Sequence, residues 1–380
     1  MNSIDEQRRP QIKPTVQITV VGESLLFRAS SVTIEVSDEQ GVLRALLELM
    51  DGTREMRAVH AALATRHPEV VWEDFVAAMA ALDEHRLLED AAVQPTGLSA
   101  YELQRWHRNI NFFGSFCGIE GDKYEFQRKI ARAKVTLLGL GGLGSHLLFD
   151  LAAMGIQDVL AVDFDQVELS NLNRQILYGD ADVGRLKAEA AAERIRVFSP
   201  RMRFTAWPKR IASVHDVLTA IEGRDVVLCV ADRPKMEILD WVNEACVRAG
   251  VPLVTGGLDT QKARYYSMIP GQSGCLVCWR EALKTSDPYS DQVLTEHRRT
   301  QLRGDNAAFV PFVSLVTGFM MAETAKIIAG PTSPSACGRV WEVDFSDMET
   351  KLSESWQRLP DCPVCGGDPR GASSDVGDAV

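Results

Sequence analysis

The run KVTLLGLGGLGSHLL, residues 134–148, constrains the fold more than any other stretch of the chain. An apolar segment ends in Gly139, Gly141 and Gly144, the GxGxxG spacing, and a helix-forming segment follows at once. A strand that turns through such glycines into a helix brings bare backbone N–H groups to a phosphate, at the positive end of the helix dipole. Three further apolar runs, VLAVDF, VVLCVA and PLVTGG, follow downstream and alternate with helix-period segments. Near-continuous apolar runs suit strands covered on both faces, so this region reads as α/β, with a Rossmann-like, mostly parallel sheet. At 380 residues and 46% hydrophobic content the chain holds enough apolar material for two or three domains.

The glycine loop by itself suits a nicotinamide enzyme as well as an ATP enzyme. Asp163 ends the next strand, about 20 residues on, where a carboxylate binds ribose hydroxyls. The segments DFDQVELSNLNRQ (163–175) and DVGRLKAEAAAERI (182–195) then place an Arg and a Lys where dinucleotide binding calls for neither. Attack at an α-phosphorus builds negative charge that fixed cations stabilise, and Arg174 and Lys187 can supply them. Asn171 can orient a phosphate or ribose oxygen, and Asp232, after the strand VVLCVA, is a strand-end carboxylate suited to Mg²⁺. Alone, each of these is an ordinary surface residue. In this order behind the glycine loop, they read as one triphosphate site.

From about Arg105 to Cys365 the chain resembles the ThiF/MoeB/HesA adenylyltransferases of the ubiquitin-activating-enzyme-like superfamily, which activate the sulfur carriers of molybdopterin and thiamine biosynthesis. GLGGLGS, DFDxVxxSNLxRQ, DVGxxKAE, Asp232, two CxxC pairs and GFMMAETAKIIAG match that pattern in order. The resemblance implies that Gly139, Gly141, Gly142, Gly144, Asp163 and Asp165 hold ATP, with Asp163 on the ribose. It implies Asn171, Arg174 and Lys187 on the phosphates and Asp232 on Mg²⁺. It implies a homodimer as well, in which RWHRNI matches the family's RYxRQI element and Arg108 reaches the triphosphate of the other copy. Arg233, where the family commonly has Asn, is a departure that bears on substrate handling rather than on ATP use.

Two CxxC pairs, Cys275–Cys278 and Cys362–Cys365, offer four thiolates, the tetrahedral set of structural Zn²⁺. Four sulfurs leave no open coordination position, so the metal is expected to pin the C-terminal segment to the region near residue 275 and to take no part in chemistry. Cys117, Cys229, Cys246 and Cys337 are scattered and expected to be reduced; Cys229 and Cys246 fall in a strand and a helix and should pack as small hydrophobes. Some superfamily members pass the acyl group to an enzyme cysteine. Between Trp279 and Ala336, where the resemblance places that nucleophile, there is no Cys, so no enzyme thioester is expected.

Residues 11–95 read as a separate winged-helix-like domain of three strands (VQITVV, LLFRA, SVTIEV) and three helices, the second capped by Thr53. Residues 96–130 read as a linker and N-terminal arm, 131–366 as the adenylation domain, and 367–380 as a disordered tail. The topology and the stretch LLELMDGTREMRAVHAAL resemble the PqqD-like elements that bind leader peptides of ribosomally made natural products. The domain order resembles the maturation enzymes of microcin C and pantocin. In that mode a leader peptide adds as a strand to SVTIEV and packs on the third helix. DNA binding, the other use of a winged helix, is opposed by the acid-rich helix EDFVAAMAALDEHR and by a net charge of −11, so no nucleic-acid partner is expected. No apolar run reaches the roughly 18 residues of a membrane span, and the polar start MNSIDEQRRPQIKP lacks a secretion signal, so a cytoplasmic protein with no membrane partner is expected. The function expected is ATP-dependent adenylation of a carboxylate on a ribosomally made precursor peptide, releasing pyrophosphate, with the adenylate captured without an enzyme thioester. The alternatives are an adenylyltransferase for a Gly-Gly-ended sulfur carrier and a non-catalytic leader-peptide scaffold for a separate cyclodehydratase.

Overall fold

The computed structural model describes residues 5–29, 32–235, 237–286, 289, 292, 296 and 307–367, in two compact units, Met1–Lys129 and Ile130–Val380. The expected linker and arm therefore group with the N-terminal unit, up to Lys129. Residues 368–380, most of the expected disordered tail, lie outside the described residues.

In the N-terminal unit β1 (Pro10–Ile12) is followed by β2 (Gln17–Val21), β3 (Ser24–Ala29) and β4 (Val32–Ser37), then by α1 (Val42–Leu49), α2 (Met56–Ala64) and α3 (Trp72–Glu84). β2, β3 and β4 form an antiparallel sheet in that order. Period-two alternation in β3 buries Leu25 and Phe27 against Leu46, Val59, Leu63, Phe75 and Met79 of the helices, which is why this short sheet holds. β5 (Leu88–Asp90) returns to pair with β1. Both strands are three residues long and carry no alternation to read. One expectation fails: Thr53 does not cap α2, whose N-cap position is Glu55 with no side-chain cap. The Thr53 hydroxyl donates instead to Asp51, closing a local turn ahead of the helix. α4 (Ala100–Arg105) starts at a Ser99–Glu102 capping box, and α5 (His107–Gly114) and α6 (Lys123–Arg132) complete the unit, whose boundary falls in the last turn of α6.

The second unit runs β6 (Lys134–Leu138), α7 (Gly142–Met154), β7 (Asp158–Val162), α8 (Lys187–Phe198), β8 (Arg203–Trp207), α9 (Val214–Ile221), β9 (Val226–Cys229), α10 (Ile238–Ala249), β10 (Leu253–Asp259) and β11 (Lys262–Met268). It ends with α11 (Leu276–Ser286), α12 (Val310–Ala329), β12 (Arg339–Asp344) and β13 (Thr350–Ser355). The strands form one eight-stranded sheet in the order β13-β12-β11-β10-β9-β6-β7-β8. From β10 to β8 every pairing is parallel; from β10 to β13 every pairing is antiparallel. The chain builds outward from β6 to β7 and β8, then returns to lay β9 on the other side of β6. That reversal opens a crevice at the carboxyl ends of β6 and β9, where ligands of open α/β sheets bind.

α12 has the length and composition to cross a membrane, yet it is a core helix. It packs on α7, β10 and β11 and buries Phe312, Val313, Val316 and Met320. Its Glu323 is buried and accepts from Ser267 Oγ at 2.9 Å and from the backbone N–H groups of Ala336 at 2.7 Å and Ser335 at 3.0 Å. A buried carboxylate so satisfied ties the chain ahead of β12 to the helix.

Candidate nucleotide site and cysteine cluster

The glycine loop lies in the crevice at the switch point. Gly139 has φ +99°, and a Cβ there would meet Ala231 N, beyond β9, at 2.8 Å. A Cβ on Gly144 would lie 2.0 Å from the Gly139 carbonyl oxygen. These glycines let the loop fold onto itself and onto the end of β9, which places Asp232 one residue past a backbone contact with the loop. Gly141 is the N-cap of α7, so the first N–H groups of that helix have no intrahelical acceptor and face the crevice.

Asp163 follows β7 and is buried. Its Oδ2 accepts from Leu140 N at 2.6 Å and its Oδ1 from Asp165 N at 2.8 Å, which holds the carboxylate beside the glycine loop. Burial pushes the Asp163 carboxyl above its usual range, while the Lys187 ammonium and the two N–H donors pull it back. Lys187 opens α8, is 5% exposed and places Nζ 3.1 Å from Asp165 Oδ2. Asn171 is buried and spends its Oδ1 on Glu168 N at 3.2 Å, shaping the turn from 168 to 171. Arg174 leaves that turn and lays its side chain over Gly142: its Cγ and Cδ lie 3.5 Å from where a Cβ on Gly142 would stand. Its guanidinium donates to Ser170 O at 3.1 Å and Asn173 Oδ1 at 2.9 Å, both exposed, so the head group is tethered but reachable.

The structure thus brings Gly139, Gly141, Gly142, Gly144, Asp163, Asp165, Lys187, Asn171 and Arg174 to the carboxyl ends of the central strands, with Asp232 exposed just past the end of β9. Arg108 is exposed on α5 in the N-terminal unit, apart from this group in the chain's division. Two neighbours were not among the expected site residues. Gln175, 3% exposed, has Nε2 3.9 Å from the Cβ position of Gly141 and a buried Oε1 without a partner among the described residues. Tyr178 donates from its hydroxyl to Leu140 O at 2.9 Å, bracing the loop from below. The signal for Gln175 was its place directly after Arg174 in the quoted motif; Tyr178 lies outside every motif. A bare backbone turn, a helix N-terminus, an acid and two cations fit a nucleotide triphosphate, and an exposed strand-end carboxylate fits its Mg²⁺.

The four paired cysteines meet although the two pairs are far apart in sequence. All four sulfurs lie within 4.8 Å of one another, with Cys275 and Cys362 at 3.6 Å and Cys278 and Cys365 at 3.4 Å. A tetrahedron with bonds of about 2.3 Å has sulfur–sulfur edges of about 3.8 Å, so the donor set and its dimensions fit Zn²⁺. Leu359 N donates to Cys278 Sγ at 3.4 Å, and Trp356 Nε1 donates to Gly274 O at 2.9 Å, so the C-terminal segment is stitched to the first pair by more than sulfur. Cys229 and Cys246 pack in the core as expected, and burial pushes the Cys229 thiol up to about 12.

A model of the ThiF family matches residues 107–364. The sulfur carrier protein adenylyltransferase of Thermus thermophilus is 33% identical over 273 residues, spanning 70% of this chain and 92% of that protein. The ThiS adenylyltransferase of Escherichia coli is 28% identical over 243 residues, spanning 63% and 89%. Among solved structures, E. coli MccB, the microcin C7 biosynthetic enzyme, solved with AMPCPP and MccA, shares the fold at TM-score 0.76 and 23% identity over 94% of this chain and 99% of that one. PaaA shares it at TM-score 0.70 and 21% identity, over 91% and 100%.

Proposed function

The chain belongs to the ThiF family of adenylyltransferases, and from that premise we propose that it activates a carboxylate on a ribosomally made precursor peptide. A carboxylate oxygen of the peptide attacks the α-phosphorus of ATP, the bond to the bridging oxygen breaks, and pyrophosphate leaves. Arg174 and Lys187 face the charge that grows on the phosphates, Asp163 holds the ribose, and Asn171 keeps the intervening turn in shape. Mg²⁺ on Asp232 would neutralise part of the triphosphate charge. The acyl-adenylate is then captured by an amine, amide or thiol of the substrate or of a second partner. Cys229 and Cys246 are buried in the core, which disfavours either of them as an acyl acceptor. In a homodimer, Arg108 would come from the other copy.

The observation that carries the peptide reading is the N-terminal unit. It places a three-stranded antiparallel sheet, with β4 as an edge strand, beside three helices and ahead of the adenylating unit. A leader peptide added to β4 would hold the core peptide at high effective concentration for a site that binds it weakly. The fold likeness to MccB and PaaA, which spans more than nine tenths of the chain and so includes this unit, supports the reading. The sulfur-carrier reading is favoured by the relatives at the sequence level. A pure scaffold has no need of a Lys187 buried against Asp165.

ATP–pyrophosphate exchange separates these readings. A precursor peptide should stimulate exchange, and removing its leader should raise the peptide KM about tenfold or more while leaving the maximal rate within a few-fold. Stimulation by a Gly-Gly-ended carrier protein and by no peptide would replace this function with the second reading.

A further inference from the structure

We infer that His146 is a positioning residue for Arg174: it sets the depth at which the Arg174 main chain sits against α7, and so where the guanidinium lies over the glycine loop. This rests on the reading of Arg174 as a phosphate cation. His146 and Gly142 are four apart on α7 and therefore share one face of the helix. Arg174 follows that face. Its main chain lies against the His146 ring, and its side chain covers Gly142, with Nε 3.6 Å from the Cβ position.

The segment from 169 to 175 has one 3-10 turn of its own, so its distance from α7 is set by the side chains wedged beneath it. His146 is 8% exposed and is clamped from its other side by α12, with Nδ1 3.3 Å from Ser314 Oγ. The Ser314 hydroxyl also reaches Val310 O at 3.1 Å within its own helix, so the group that holds the ring on this side is itself anchored. Nε2 is buried and has no partner at strict hydrogen-bonding geometry among the described residues, while the Arg174 main chain lies near enough to the ring to favour its protonated form. Burial outweighs this and lowers the basicity of the ring, which keeps it a neutral spacer behind a cation. A displacement of a phosphate-binding group by about 1 Å can cost on the order of a hundredfold in rate, which makes the spacer matter although it touches no nucleotide.

A double-mutant cycle on the full chain tests this, with the dissociation constant for a fluorescent ATP analogue as the readout. His146→Ala should weaken binding about tenfold, and His146→Gln, whose amide can still hydrogen-bond to Ser314, should recover most of the loss. In an Arg174→Ala background His146→Ala should cost less than about twofold more, because its effect passes through Arg174. Ser314→Ala, on an exposed side chain, should weaken binding about threefold without opening a core cavity; it supplies the same test if His146→Ala fails to fold. Equal losses in the presence and absence of Arg174 would overturn the assignment, as would wild-type affinity in both single variants. A wild-type chain that binds no ATP analogue would instead overturn the nucleotide site itself.

Discussion

In the proposed reaction Lys187 and Arg174 would do the same electrostatic work from opposite circumstances. The Lys187 ammonium is buried and already aimed by Asp165 at 3.1 Å, so little reorganisation is needed when phosphate arrives. Arg174 is half-buried, and its head group is held by the exposed acceptors Ser170 O and Asn173 Oδ1, which it can give up for a phosphate at small cost. Lys187→Met, which keeps the stem and removes the charge, should lower the maximal exchange rate about a hundredfold and change the ATP KM little. Arg174→Ala should raise the ATP KM as well, because the same side chain covers the glycine loop. Lys187→Arg should fail to restore activity, since a forked guanidinium does not fit a buried point-charge position. Steady-state exchange with ATP varied checks all three, and an undiminished rate in Lys187→Met would remove this residue from the chemistry.

Among the elements, the strand–glycine–helix junction of β6 and α7 is the one whose geometry leaves least freedom. A single methyl at Gly144 would stand 2.0 Å from the Gly139 carbonyl, a backbone atom that cannot swing aside. Gly144→Ala should therefore open the loop or unseat α7, abolish detectable ATP binding and lower the melting temperature of the second unit, whereas Gly179→Ala, where a Cβ meets open space, should do neither. Native-like binding in Gly144→Ala would mean that the loop is not built as described. The same junction explains what was legible in advance. β6, β7 and β9 are buried over nearly their whole length, as is the first half of β10, and they read as apolar runs, so their existence and the glycine turn could be read from sequence. β8, β12 and β13 could not. RFTAW is an edge strand, and TKLSES is almost wholly exposed at the other edge, so neither carries an apolar signature. β11 starts with Lys262 and keeps Arg264 outward, where Glu342 pairs with both, which hides a buried strand behind charges. In the site, residues inside ordered motifs were legible because their chemistry is specific. Tyr178 and His146 were not, because they act by bracing main chain, and bracing leaves no pattern in residue type.

At the scale of the whole second unit, the antiparallel half of the sheet depends on a closure that its strands do not supply. β12 and β13 hang from β11 by pairings that end before residue 356, and β13 has an exposed outer edge. What returns the chain to the body of the unit is the second cysteine pair, which meets the first across 87 residues of sequence, with Trp356 and Trp279 stacked beside it at 5.5 Å. Four thiols this close, with burial raising the Cys275 thiol, cannot all ionise unless a cation compensates them, so a metal bound here would add stability to the closure. Elemental analysis should find about one zinc per chain. Cys362→Ser, or exhaustive chelation, should lower the melting temperature of the second unit by about 10 °C, as expected for roughly 3 kcal/mol lost from a unit of this size. The stability loss should come without a loss of chemistry, because a closed four-sulfur set presents no open position to a substrate. At a temperature where the Cys362→Ser chain remains folded, its exchange rate should stay within about threefold of wild type. A rate that collapses while near-ultraviolet dichroism and the melting curve still report a folded unit would put the metal in the reaction, and the purely structural role assigned to the cluster would be wrong.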